Sequence, residues 1–295
     1  MPMMADNKKV LITGANQGIG LHTALLLVKN GGYDITLACR NEERARAAMK
    51  QLREQNPDVQ VEWMRVDLAE LSSVREMVER IREMKIFFDV VILNAGILLP
   101  TAPKTVDGHE QTFQVNFLSQ FMLIEEIIAH QCPAKQIRVI TLTSVLYKLC
   151  GNLLPVEKDP SKWGRMFDGA RRWKAYCLSK FAMALLAQHL SQREGVKAFA
   201  VHPGAVKTQM AEAVGSKTSR KFLFFLKHML IKPEAAAENV MFCVQKDMGL
   251  NEYRHGDRVQ KFTSACNTRN VDALVQLALQ MTASFRTHSK SAPAA

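Results

Sequence analysis

The stretch KKVLITGANQGIG, residues 8–20, carries the reading of the fold. KKVLIT has the length and the aliphatic content of a buried strand. TGANQGIG follows, with glycines at 14, 18 and 20, and GLHTALLLVKNGG then repeats apolar residues at helical spacing until a glycine pair stops it. A glycine turn between strand and helix lets the backbone bend sharply and set its N–H groups, at the positive end of a helix, against a pyrophosphate. The spacing is G-x-x-x-G-x-G rather than G-x-G-x-x-G, and a plain tight connection would also use glycine. The strand before and the helix after favour a phosphate cradle built on Gly14, Asn16, Gly18, Ile19 and Gly20.

Outward from that unit the pattern repeats. DITLAC (34–39), VQVEWMRV (59–66), FDVVILNAG (88–96), QIRVITLTS (136–144) and VKAFAVHPG (196–204) are further apolar runs, and DRVQKF (257–262) is a seventh strand. NEERARAAMKQLREQNP reads as a charged helix stopped at Pro57, and helices are expected over 70–84, 108–131, 173–194 and 270–284. Continuous rather than alternating hydrophobicity suits parallel strands covered on both faces. Regular strand–helix alternation then implies an α/β architecture: a doubly wound, Rossmann-type parallel sheet of seven strands with helices on both faces. No linker, composition shift or repeat divides the chain, so 1–295 reads as one domain, with flexible ends at about 1–6 and 286–295.

Composition narrows the function classes. Hydrophobic residues make up 47% and charged residues 23%, ordinary for a globular protein with a sizeable core. No run of 18 apolar residues appears, and MPMMADNKKVLITG enters a strand without a signal-peptide stretch. A cytoplasmic protein without a transmembrane segment is expected, with peripheral membrane contact left open. The six cysteines form no C-x-x-C pair and have no histidine at ligand spacing, so no metal is expected. The net charge of +11 invites a nucleic-acid partner. The basic residues, however, are interspersed with acids, as in NEERARAAMKQLRE, the pattern of a solvated helix face, and no nucleic acid is expected.

Ligands of open α/β sheets bind outside the carboxyl ends of the strands, which makes the residues at those ends informative. After the second strand, LACRNEER puts Arg40 where an acid would hold the ribose 2′-OH of NAD and an arginine would take the 2′-phosphate of NADP. No acid stands at 38–40, so NADP(H) is favoured over NAD(H), a plain surface arginine being the alternative. VDL (66–68) sets Asp67 and Leu68 at the third strand's end, where Asp67 either accepts from an adenine amine or caps the next helix. NAG, Asn94, Ala95 and Gly96, ends the fourth, and Gly96 would keep the wall beside a cofactor thin. Ser144 ends the fifth.

On the following helix, AYCLSK holds Tyr176 and Lys180, four apart on one helix face. With four tyrosines and 39 Lys+Arg in 295 residues, chance supplies roughly 0.5 such pairs, so the spacing alone decides nothing. Its position does more. A free phenol, with a pKa of about 10, is a poor base near neutrality; a cation held close favours the phenolate and matches the group better to proton transfer.

TGxxxGxG, NAG, the serine, YxxxK and PG occur here in the order of the short-chain dehydrogenase/reductase family, which the sequence resembles over nearly its whole length. ITGANQGIG, ACRNEERA, LNAGI, AYCLSK, VHPGAVKT and KPEAAAENVMFC resemble its retinol dehydrogenase branch. The resemblance implies that Ser144 holds the substrate oxygen, Tyr176 exchanges its proton, and Lys180 binds the nicotinamide ribose and lowers the tyrosine pKa. It implies further that Asn116 holds a water linking Lys180 to solvent, and that Pro203, Gly204, Val206 and Thr208 close over the nicotinamide end. The expected activity is interconversion of a carbonyl and an alcohol on a small apolar molecule of retinoid, steroid or lipid type. A catalytically silent NADP-binding scaffold or redox sensor is the alternative, and a homo-oligomer is compatible with the family. Tyr176 follows Ser144 by 32 positions, a longer gap than is usual for the family, which makes that segment the expected source of private specificity. RKFLFFLKHMLIKP (220–233) falls at the family's substrate region and reads as a pocket lining, a membrane-surface contact or a plain amphipathic helix.

Overall fold

Strand β1, Lys8–Thr13, runs into the glycine turn and helix α1, Gly18–Asn30, which ends at Gly31 with φ 72°. Strand β2, Tyr33–Cys39, leads to α2, Glu42–Gln55, where the Asn41 side chain accepts from Arg44 N at 2.8 Å. Then come β3, Val61–Arg65; α3, Leu71–Glu83; and β4, Val90–Leu93. The computed structural model describes residues 6–131, 135–149, 172–204, 206 and 231–286.

The helix expected over 108–131 is present in three joined pieces: α4, Gln111–Phe113; a π-helical turn, Gln114–Leu118; and α5, Ser119–His130. Strand β5, Ile137–Leu142, is followed by a 3₁₀ turn at Val145–Leu149. Helix α6, Arg172–Ser191, carries Tyr176 and Lys180 and precedes β6, Val196–His202. Helix α7, Pro233–Gln245, was not read from the sequence as an element; its proline occupies the first helical position, where no N–H is needed. Strands β7, Glu252–His255, and β8, Arg258–Lys261, form a hairpin before the last helix described, α8, Thr268–Thr282.

The strands form one sheet in the order β3-β2-β1-β4-β5-β6-β7-β8, parallel throughout except for the antiparallel β8. The doubly wound parallel sheet expected from the sequence is therefore present, with eight strands among the described residues rather than seven. The additional strand is β7. EYRH contains one fully buried side chain, Tyr253, so no apolar run announced it. Strand order reverses between β1 and β4, and ligands of open α/β sheets bind at the carboxyl ends of the strands flanking such a switch point.

Strands β1 to β6 each feed two cores. Val10, Ile12, Ile35, Leu37, Ile140 and Val201 turn towards α1, α2 and α7. Leu11, Val91, Val139, Ala200 and Tyr253 turn towards α3, α5, α6 and α8. This two-sided burial is the physical reason that the strands read as continuous apolar runs.

Candidate active site

Gly14, Gly18 and Gly20 form the turn between β1 and α1 with φ of 65° at Gly14 and 56° at Gly18. Gly20 shows why the turn excludes side chains. A Cβ there would lie 2.5 Å from Asn94 Nδ2 and 2.7 Å from the Gly14 oxygen. Asn94 therefore braces the turn: its amide donates to Thr13 O at 2.8 Å and to Gly14 O at 3.3 Å. The Thr13 hydroxyl accepts from the backbone of Asn94 and Ala95 and donates to Gln120 Oε1 at 2.8 Å, and Gln120 returns a bond to Ala95 O at 3.0 Å. Thr13 and Gln120 hold the turn to the end of β4 and were not picked out from the sequence. A buried threonine closing an apolar strand, TG, was the available signal. Asn16, Gly18 and Ile19 line the start of α1, part-exposed.

Arg40 stands at the end of β2, its side chain 70% exposed and 3.8 Å from Asp67 at the end of β3. So open an ion pair is worth at most about 1 kcal/mol, which leaves the guanidinium free to exchange partners. Asp67 accepts from Ala69 N at 2.9 Å through its other oxygen, a local turn ahead of α3, whose N-cap position is held by Glu70. Leu68 is buried, its carbonyl accepting from Ser119. A second arginine, Arg44, donates to Gln17 Oε1 at 3.2 Å and brings another cation beside the glycine turn. The sequence reading stopped at Arg40, although Arg44 lies one helical turn further on.

Ser144, Tyr176 and Lys180 meet at the carboxyl end of β5. Thr143 donates to Lys180 O at 2.7 Å and Thr141 to Met183 O at 2.9 Å, and these bonds pin α6 against the strand. Ser144 opens the 3₁₀ turn, accepting weakly from Leu146 N at 3.4 Å, and its hydroxyl also bonds the Tyr176 phenol. The Lys180 ammonium, 6% exposed, donates to Leu142 O at 3.0 Å and lies 5.8 Å from the centre of the Tyr176 ring. Burial pushes the Tyr176 phenol up to about 12, against the Ser144 bond that lowers it. Burial lowers Lys180 to about 8.

Gly96 lies beside this group. A Cβ on it would stand 3.5 Å from Lys180 Nζ and 3.4 Å from Asn116 Oδ1. Asn116, in the π turn, uses its whole amide on protein: Oδ1 accepts from Ile97 N at 2.7 Å, and Nδ2 donates to Ile97 O and Ser179 Oγ at 3.0 Å each. On the other flank, Pro203 O accepts from Asn239 at 3.2 Å, Gly204 has φ 106°, and Val206 bridges to Ile231. Thr208, residues 150–171 of the segment before Tyr176, and most of RKFLFFLKHMLIKP lie outside the described residues. No helix among the described residues is long and apolar enough to cross a membrane, and none of their His, Cys, Asp and Glu side chains gather as a metal site.

The family description short chain dehydrogenase matches residues 8–153. Human retinol dehydrogenase 13 is 35% identical over 240 residues, covering 78% of this chain and 70% of its own. The WW domain-containing oxidoreductase of Drosophila melanogaster is 33% identical over 258 residues, covering 80% of this chain, which spans only 58% of the fly protein. Among solved structures, an uncharacterized protein from Mycobacterium paratuberculosis superposes with a TM-score of 0.70 at 25% identity, over 94% of this chain and 93% of that one. Fold, motif order and relatives agree: the chain belongs to the short-chain dehydrogenase/reductase family of oxidoreductases, in its retinol dehydrogenase branch.

Proposed function

We propose that the protein is an NADP-dependent reductase of apolar aldehydes or ketones, of retinoid, steroid or lipid-like type. The observation that carries the reading is the meeting of Ser144, Tyr176 and Lys180 beside Gly96, at the strand edge that also holds the glycine turn and Arg40. The side-chain-free cradle at Gly14 and Gly20 fits a pyrophosphate, and Arg40 with Arg44 fits a 2′-phosphate. A bound nicotinamide dinucleotide supplies the hydride. Tyr176, protonated at neutral pH, gives its proton to the substrate oxygen while Ser144 holds that oxygen by its hydroxyl. Lys180 orients the ribose side and offsets charge left on the phenolate. Asn116 keeps the strand-four loop and α6 in register, its side chain being fully engaged.

NADPH and NADH thermal-shift titrations test the cofactor, followed by a carbonyl panel read through NADPH oxidation. NADPH should bind at least about tenfold more tightly than NADH, since a charge-assisted phosphate contact contributes about 1.5–3 kcal/mol. Arg40→Ala should remove most of that preference without weakening NADH. Equal binding of the two cofactors by the unaltered protein rejects the NADP assignment, and a silent panel with intact NADPH binding favours the scaffold reading.

A further inference from the structure

His202 closes β6 one residue before Pro203. It is only 8% exposed, and its imidazole has no hydrogen-bond partner among the described residues. It stands in a row that crosses three strands. Leu142 pairs with Val201 and Thr143 N donates to Val201 O at 2.8 Å, which sets Thr143 beside His202; His202 in turn pairs with His255 on β7. Side-chain alternation puts the row on the face covered by α6, the face on which Thr143 bonds Lys180 O and Ala200 and Tyr253 are buried. The two imidazole rings are 4.9 Å apart, and His255 Nδ1 is 3.2 Å from the Tyr253 hydroxyl.

The charges around the row are mostly positive. Lys180 faces it from α6 and Arg258 from β8. Lys148 arrives from the 3₁₀ turn after Ser144, its ammonium 3.5 Å from Gln260 Oε1 and 5.9 Å from the Tyr253 ring centre. Asp257, with a side chain 88% exposed, is the acid that acts on His255. Burial first, then His255, Lys148 and Lys180, lower His202 to about 4. Burial, Lys148 and Arg258 also lower His255, against Asp257. A carboxylate among these groups would oppose that lowering, because an opposite charge favours the protonated imidazole and supplies an acceptor for its N–H.

We propose that His202, His255 and Lys148 form an anion subsite, one to two strands along the sheet from Ser144, which selects carbonyl substrates carrying a carboxylate within one aromatic ring's reach of the reacting carbon. Neighbouring strands stand about 4.8 Å apart, so the row begins within that reach. The inference rests on the proposed reduction and gives its apolar substrate an acidic end.

The test compares 4-carboxybenzaldehyde with its neutral methyl ester between pH 6 and 8. At pH 6 the acid should have the higher kcat/KM by about tenfold, one charge-assisted contact's worth. The advantage should shrink towards pH 8, because the histidines take up a proton with the anion. Lys148→Met, at an exposed position, and His255→Gln should bring the ratio near one and leave the ester's kcat/KM unchanged. Preference for the ester at every pH, or a ratio indifferent to both substitutions, overturns the subsite. Benzoate binding by calorimetry at pH 6 decides the matter without turnover. Binding with proton uptake that Lys148→Met abolishes supports the subsite even where neither aldehyde reacts, an outcome that would sink the reductase reading alone. Absence of benzoate binding overturns the subsite whatever the turnover.

Discussion

At Tyr176 and Lys180, burial favours the neutral form of each group, so it raises the phenol to about 12 and lowers the ammonium to about 8. The sequence expectation had Lys180 lowering the phenol. In the structure the lowering influence on Tyr176 is the Ser144 hydrogen bond, because the ammonium is directed to Leu142 O rather than to the phenol oxygen. A phenol that stays protonated is set up to donate, which suits reduction. Tyr176→Phe should therefore lose about 10²–10⁴ in kcat and keep its NADPH affinity; an unchanged rate would reject Tyr176 as the proton donor. If the Lys180 cation is needed, kcat/KM of the reduction should fall as pH rises through about 8, the value for the free enzyme. Stability should move the other way. Lys180 is lowered from 10.5 to about 8, so between those values the unfolded chain binds the extra proton and urea resistance should rise with pH.

At the scale of elements, the π turn Gln114–Leu118 explains how one helix serves both the sheet and α6. π turns widen a helix locally and recur at functional sites. Here the Asn116 amide is spent on Ile97 and Ser179, and its carbonyl accepts from Gln120 at 2.8 Å. QVNFLSQF gave no sign of the π turn in its apolar spacing, since the distortion arises from what the helix must reach and not from propensity. Asn116→Ala would leave both backbone groups of Ile97 without their partner, in a part-buried place. Each such loss costs about 1–3 kcal/mol, so urea unfolding should show about 2–4 kcal/mol of destabilisation together with weakened cofactor binding. A change under about 0.5 kcal/mol would show that water replaces the amide freely.

Across the whole molecule, charged residues divide into those that only solvate and those that tie helices together. Glu42–Arg46, Lys50–Glu54 and Arg75–Glu79 are exposed i,i+4 pairs, each worth only about 0.3–0.5 kcal/mol. Glu125 and Glu126 on α5 are buried. Glu126 bonds Arg82 of α3 at 2.7 Å and Arg286, beyond α8, at 3.1 Å; Glu125 takes both oxygens of its carboxylate to Arg193 at 2.9 Å. Burial alone would raise Glu125, but His189 and Arg193 outweigh it and hold the carboxyl below its usual value. The stability this gives is present above the unfolded value of about 4.5 and is lost as pH falls through the lower folded value. Glu125→Gln should accordingly flatten the acid limb of the unfolding curve, read by circular dichroism. Glu126→Ala should cost about 2–3 kcal/mol, because it takes the buried carboxylate from two part-buried arginines, Arg82 and Arg286, of which Arg286 keeps Glu125 4.0 Å away.

Local chemistry made much of this protein legible in one dimension. A strand buried on both faces must be an apolar run, a position whose Cβ would lie 2.7 Å from the Gly14 backbone oxygen must be glycine, as at Gly20, and Tyr176 and Lys180 share a helix face through spacing alone. The family and its fold followed from these. Long-range pairing decided the rest. Asn116 meets Ile97 and Ser179, Thr13 meets Gln120, and His202 meets His255 across β6 and β7, 53 residues apart in the chain. None of these partners lies within a helical turn or a strand repeat of the other. The sheet order, by setting β1 beside β4 and β6 beside β7, helps to bring such polar groups together in buried or part-buried places, where each must find a partner or change its charge.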